Sequence, residues 1–478
     1  MAANAATAPL GSHLTSRQLV VNLGPKADPR ALVDVAGRYK GTAHLLFSHT
    51  REQLALEARD CEEATNVSPP DLACYYRVRV DEERLAEVRE VMSKVDGADG
   101  AYLLPPVATP THLCGRLKPL DQAPPVPTPS LAARQRYLKD ASAGGVDAVF
   151  AWSRPGGRGT GVEIVHIEAA WNFGHEDLVR NQGGALGTQS TDFCLRQHGT
   201  AVLGVLGADQ GARGITGVCP GARVRTIGVE DVRNPEGPEL PTAIRIAANA
   251  LRAGDIILIE LQHPGARVAH LPNEDRHGYI PVEWWPPTLA AIQFATAKRI
   301  IVVEAAGNGN EDLDDAIHDR GDIFPASWKN PFRRATARSD SGAILVGAGA
   351  PPPGTHERNW GLDRSRLEFS NYGSVVDVQG WGREVTTCGY GSLQGGPSEN
   401  RWYTDEFGGT SSAAPMLAGV LACLQGIQRA RHAPLLTPAT ARALLRDTGW
   451  PQQNAEGRPA SQRIGSRPDL SQLIAKLP

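Results

Sequence analysis

Five short aliphatic runs constrain the fold of this chain more than any other feature. Val162–Ile167, Arg223–Val229, Asp255–Leu261, Ile300–Glu304 and Gly342–Gly347 are short runs built around Ile, Val and Leu, the second of them the most interrupted, by Arg225, Thr226 and Gly228. Strands read this way when both of their faces are buried, as in a parallel sheet. Helical patterns at 200–208, 240–253 and 287–299 lie among them. The alternation predicts an α/β fold, three layers deep (α/β/α), around a mostly parallel sheet. Sites in such sheets form outside the carboxyl ends of the strands. The residue that follows each run is therefore where chemistry is sought.

Four such positions stand out. Glu168 follows the first run, and His198-Gly-Thr opens the helical stretch after it. Run 300–304 leads into Ala306-Gly307-Asn308. Gly409-Thr-Ser-Ser-Ala-Ala-Pro415 precedes Met416–Gly426, a small-residue run that reads as a buried helix. Pro415 is expected early in that helix, where its missing N–H removes no helical bond. Ser411 would then sit at a helix N-terminus, where free N–H groups and the positive end of the macrodipole favour an oxyanion. A serine hydroxyl is a weak nucleophile and needs a base. The base needs a carboxylate to fix its tautomer, and the tetrahedral intermediate needs donors aimed at its oxygen.

In this order the motifs resemble those of subtilisin-like serine proteases, over roughly residues 136–450. His198-Gly-Thr matches the histidine motif, Gly409–Pro415 the serine motif, and Ala306-Gly-Asn308 the oxyanion asparagine. Gly217–Pro220, Phe369–Gly373 with Val375–Val378, and His175-Glu-Asp-Leu178 fit lesser family segments. The resemblance implies a subtilisin-like fold and an endopeptidase working through an acyl-enzyme on protein or peptide substrates. Ser411 would be the nucleophile, His198 the base, and Asn308 with the Ser411 N–H the oxyanion hole.

Two departures bear on chemistry. Where the family has Asp before Ser/Thr-Gly, this chain has Glu168-Ala-Ala, so Glu168 is expected to be the triad acid one methylene longer. Asp177 matches an aspartate that the family uses structurally, often towards calcium. Gly211 stands where the family offers that ion an asparagine, so no metal and no organic cofactor is expected. The substrate-pairing segment Ser-Leu-Gly-Gly is replaced by Glu260-Leu261-Gln262-His263. With Glu304 and the acidic stretch 310–315, these bulkier residues admit a preference for basic P1 or P2 side chains, or plain solvated loops. A pseudoprotease that binds peptide or a partner through the cleft is the alternative, and an esterase or transpeptidase a third reading.

Residues 1–15 read as a flexible leader, 16–108 as a small α+β unit, 109–135 as a Pro-rich linker, and 136–478 as the catalytic domain. In the small unit the predicted order β-α-β-β-α-β suggests a ferredoxin-like sandwich. By resemblance this would be a propeptide-like domain that inhibits or chaperones the enzyme, with Ala101–Val107 starting a tail through the cleft; a stable, uncleaved accessory domain is the alternative. The net charge of −3 indicates neither a nucleic-acid nor a membrane-surface partner. Residues 1–11 lack a basic n-region and an apolar h-region, so synthesis in the cytoplasm is expected, with export by a signal-free route open. The seven scattered cysteines read as mostly free, buried thiols.

Overall fold

The computed structural model describes residues 18–25, 27–109, 117–121, 127–180, 182–230, 233–267, 278–319, 323–325, 327–336 and 339–478. The leader 1–15 and much of the 109–135 linker lie outside these residues.

The first unit contains β1 (Gln18–Leu23), α1 (Arg30–Arg38), β2 (Thr42–Leu45), α2 (Arg51–Thr65), β3 (Tyr75–Arg79), α3 (Leu85–Met92) and β4 (Ala98–Leu104). Its antiparallel sheet has the order β2-β3-β1-β4, as the ferredoxin-like pattern predicts. Leu85, Val88 and Met92 of α3 are buried on one side of this sheet, together with Leu32 and Val35 of α1. The additional helix, α2, carries seven charged residues among its fifteen and offers little apolar periodicity. Its signal is a capping box: Thr50 Oγ1 accepts from Gln53 N at 3.2 Å, and Gln53 Oε1 accepts from Thr50 N at 3.0 Å.

The larger unit continues with α4 (Ala148–Trp152), β5 (Glu163–Glu168), β6 (Gln182–Ala185), α5 (Phe193–Gly207), β7 (Arg223–Gly228), α6 (Leu240–Ala250), β8 (Ile256–Ile259), β9 (His263–Pro264), β10 (Tyr279–Ile280), α7 (Pro286–Ala297) and β11 (Ile301–Ala305). It ends with β12 (Ile344–Gly349), β13 (Val378–Trp381), β14 (Val385–Cys388), β15 (Tyr403–Phe407), α8 (Thr410–Ala430), α9 (Pro438–Arg446) and α10 (Leu470–Ala475). Seven strands form one parallel sheet in the order β13-β12-β11-β8-β5-β7-β6. The chain leaves β5 towards β7 on one side and later returns to β8 on the other. The order therefore reverses between β5 and β8, where open α/β sheets place their sites.

Alternation along the strands sorts the two faces. Ile164, Leu258 and Val303 face a core shared with α5 and α8; Val165, Ile257 and Val302 face one shared with α6 and α7. The second core also takes Val20, Leu46, Phe47 and Tyr102 from the first unit. Tyr102 meets Phe324 edge-on at 5.4 Å, and Arg245 of α6 bonds Glu57 of α2 at 2.6 Å. The small sheet is thus docked on the α6/α7 side. Helix α8 is long and apolar enough to cross a membrane by composition, but Thr410–Gln428 of it are buried in the protein. Its Gly426 admits a close approach, since a Cβ there would stand 2.2 Å from Gly156 O.

Pro415 does not sit where the sequence suggested. It is the sixth residue of α8, and its missing N–H leaves the Ser411 carbonyl without an i+4 donor. Five cysteines (61, 74, 219, 388 and 423) are free and buried, whereas Cys194 is disulfide-bonded and departs from the free-thiol reading.

Candidate active site

Four elements bring the expected residues to the switch point. β5 ends on Glu168, and its carboxylate Oε1 accepts from His198 Nδ1 at 2.6 Å. His198 lies in the second turn of α5, not at its opening. The helix starts at Phe193 because Asp192 caps it, accepting from Leu195 N at 3.0 Å. The sequence placed the start at Thr200 because Phe193–Gln197 carries no apolar stripe that would mark a helix.

The other Glu168 oxygen faces a second histidine. His166 Nε2 lies 3.2 Å from Oε2, at an angle short of a well-formed hydrogen bond. Trp171 Nε1 donates to His166 Nδ1 at 2.9 Å, so the His166 proton resides on Nε2 and points to Glu168. Burial keeps His166 below the usual histidine pKa. Burial alone would raise the Glu168 carboxyl; His198 and then His166 outweigh it and hold Glu168 below the ordinary carboxylate range. The Glu168 carboxylate thus bonds one imidazole through Oε1 and faces a second through Oε2. His166 was visible in the sequence as a polar residue inside an aliphatic run, and the sequence reading gave it no role.

Ser411 lies in the first turn of α8, preceded by Gly409 at φ 94°, a left-handed turn that glycine permits. Ser411 Oγ and His198 Nε2 are both buried, and neither has a hydrogen-bond partner. No hydrogen bond joins His198 Nε2 and Ser411 Oγ. Asn308 follows β11. Its Oδ1 accepts from Thr410 N at 2.9 Å and from Thr410 Oγ1 at 3.0 Å, which leaves the buried Nδ2 unpaired. The backbone N–H of Asn308 donates to Gln262 Oε1 at 2.9 Å.

The substrate-binding candidates divide. Gln262 pairs antiparallel with Ala108: Ala108 N donates to Gln262 O at 2.8 Å and Gln262 N to Ala108 O at 3.0 Å. Leu261 is buried in the α6/α7 core, and Glu260 is buried near the Ser411 hydroxyl. Glu304 is not beside them. It points to the opposite face, where its Oε1 accepts from Glu283 N at 3.2 Å. Burial pushes Glu283 up to about 7 and Glu304 well above the carboxylate range. This pair is therefore not an acidic wall for a basic substrate residue. In the 310–315 stretch, Glu311 and Asp315 are tied to Arg267. Asp177 is structural here: its Oδ2 accepts from Ile215 N and Tyr403 OH, both at 2.8 Å, away from His198.

Residues 160–465 match the subtilase family. The chain is 27% identical over 315 residues to a calcium-dependent protease of Nostoc sp., covering 61% of this chain and 43% of that protein. It is 26% identical over 294 residues to an intracellular serine protease of Paenibacillus polymyxa, covering 60% of this chain and 72% of the relative. The chain thus spans under half the length of the first of these relatives. Among solved structures, fervidolysin from Fervidobacterium pennivorans, a keratinolytic enzyme related to subtilisin, superposes with a TM-score of 0.58. That alignment covers 97% of this chain and 61% of that one, at 17% sequence identity. The likeness supports the three-layer fold.

Proposed function

This chain belongs to the subtilase family, and we propose that it is a serine endopeptidase with the triad Glu168–His198–Ser411. The observation that carries the reading is the 2.6 Å contact from Glu168 to His198 Nδ1, with His198 Nε2 left free. With its proton on Nδ1, His198 Nε2 is an acceptor and can take the Ser411 proton as Oγ attacks the scissile carbonyl. The imidazolium is stabilised by Glu168 and returns the proton to the leaving amine. Asn308 Nδ2 and the Ser411 N–H would meet the oxyanion at the start of α8. Water then repeats the sequence on the acyl-enzyme. Treatment with a fluorophosphonate, followed by peptide mapping, is expected to place one covalent adduct on Ser411. A folded protein with no adduct there would overturn the reading. Hydrolysis of peptides at internal bonds separates an endopeptidase from an esterase.

The first unit is proposed to restrain this site. Its sheet docks on the α6/α7 side, and the tail after β4 supplies Ala108 as a strand partner to Gln262, the place where a peptide substrate would add its own strand. Ala108→Pro removes the donor to Gln262 O, so peptide hydrolysis by the full chain is expected to rise several-fold. Unchanged rates would show that the tail does not compete with substrate. The open His198–Ser411 bond favours a second reading, a catalytically silent relative that binds peptide along Gln262. Peptide binding without an adduct on Ser411 in the A108P protein would decide for it.

A further inference from the structure

Glu260 takes no part in the mechanism above, yet it stands against the nucleophile. Its backbone N–H donates to Ile167 O at 3.2 Å, which continues the β5–β8 ladder past its last registered pair, Ile167 with Ile259. Glu260 is therefore the cross-strand neighbour of Glu168. Side chains alternate along a strand, so Leu258 and Glu260 share the α8 face with His166 and Glu168. Adjacent strands are about 4.8 Å apart, and the two carboxyl groups project side by side at the switch point.

Their surroundings differ. Glu168 has His198 at 2.6 Å and His166 at 3.2 Å. Glu260 is 0% exposed, and neither of its oxygens has a hydrogen-bond partner. Among the described residues, the titratable and polar groups that bear on it are Glu168 from β5 and the Ser411 hydroxyl from α8. That hydroxyl is near, but it forms no well-directed bond with either oxygen. Like charges cannot both be held at such spacing without a cation between them, and the imidazoles serve Glu168.

We propose that Glu260 is a positioning residue for Ser411, neutral in the working enzyme and silencing the serine when it ionises. A neutral carboxyl leaves Ser411 Oγ–H free to turn to His198 Nε2. A carboxylate at the same place accepts that hydrogen bond itself and holds the proton away from the base. It also sets a second negative charge beside the forming oxyanion, where it opposes the tetrahedral intermediate. The only bond of Glu260 that changes is its carboxyl O–H, which breaks on ionisation as the proton passes to solvent. Burial, with the Glu168 anion beside it, raises the Glu260 carboxyl well above the ordinary range, which agrees with a neutral group at working pH. Two carboxyl groups pushed in opposite directions by their surroundings take separate roles. The inference rests on Ser411 being the nucleophile.

The test uses the full chain and its Ala108→Pro form, each with and without Glu260→Gln. Fluorophosphonate labelling rates are measured between about pH 5 and pH 10 and thermal melts alongside. Rates at the acidic end are expected to agree within about threefold. Above the ionisation of Glu260 the parent proteins lose about tenfold per pH unit, and the Gln forms do not. The melts give an independent sign. A carboxyl raised in the folded state holds a proton that the unfolded chain releases above about pH 4.3, so its presence costs stability as pH rises. Glu260→Gln is therefore expected to raise Tm at pH 8 and not at pH 4. Superimposable labelling profiles in labelled proteins overturn the proposal and leave the protease reading standing. A folded Gln form that never labels beside a parent that does also overturns it, since the acidic proton would then be required. No labelling in any of the four proteins removes the nucleophile and with it this inference.

Discussion

Replacing Glu168 by alanine is expected to lower kcat by about 10⁴-fold with little change in KM. Without the carboxylate, nothing holds the His198 proton on Nδ1, and the tautomer that can accept from Ser411 loses its preference. The imidazolium also loses its counter-charge in a buried site. Gln262, the proposed strand partner of a substrate, is untouched, so the loss is expected in the transition state and not in binding. The conservative amide is expected to fare no better, for a reason particular to this chain. Trp171 donates to His166 Nδ1, so His166 presents an N–H to residue 168. In Glu168→Gln the amide oxygen is drawn to that N–H, and the amide NH₂ is turned to His198 Nδ1. His198 must then carry its proton on Nε2, where it cannot serve as base. His166→Ala in the Gln background removes this bias and is expected to restore part of the activity. Glu168→Asp, one methylene shorter, cannot keep both imidazoles at 2.6 and 3.2 Å, and an intermediate loss is expected. Steady-state kinetics with thermal melts check the series. A Glu168→Ala protein within tenfold of the parent would remove Glu168 from the triad.

The sequence made the sheet legible because a strand buried on both faces must be aliphatic throughout. Asp255–Leu261 and Ile300–Glu304 came closest to that demand, with Ile256–Ile259 and Ile300–Val303 unbroken. The strands it missed are those that do not meet it. Gln182–Ala185 is a half-exposed edge with two glycines, and Val385–Cys388 pairs only with Tyr403–Phe407 outside the main sheet. Helix α2 escaped because its seven charged residues among fifteen leave little apolar stripe, and its capping box was the readable mark. At the site, the motif residues Ser411 and His198 were legible as short local patterns. What was not legible was register. That Glu260 stands beside Glu168, and that Glu304 faces the other way, follows from β5, β8 and β11 lying in line. No local pattern states which residues become cross-strand neighbours. His166 is an intermediate case: one imidazole inside an aliphatic run asks for a buried polar partner, and the partner is the acid two residues on.

Asn308→Ala is expected to lower kcat by about 10²–10³-fold and leave KM nearly unchanged. The amide is fixed from one side only. Thr410 N and Thr410 Oγ1 both donate to Oδ1, which commits the NH₂ to the opposite direction. That NH₂ is buried and unpaired, a state that costs about 1–3 kcal/mol in a folded protein. A donor held at such cost beside Ser411 is satisfied when an oxyanion forms, and a ground-state carbonyl in a different position gains less from it. The alanine protein should therefore melt no lower than a few degrees from the parent, because the group removed was not paired. Asn308→Asp is expected to be worse than alanine: its carboxylate accepts from Thr410 as before, offers no donor, and adds charge where charge develops. Thr410→Val removes only the hydroxyl donor to Oδ1 and keeps the backbone one, so a several-fold loss is expected. If Asn308→Ala raised KM and spared kcat, the amide would be binding the ground state. The oxyanion would then have to be met by the α8 N-terminus alone, with the Ser411 N–H as its donor.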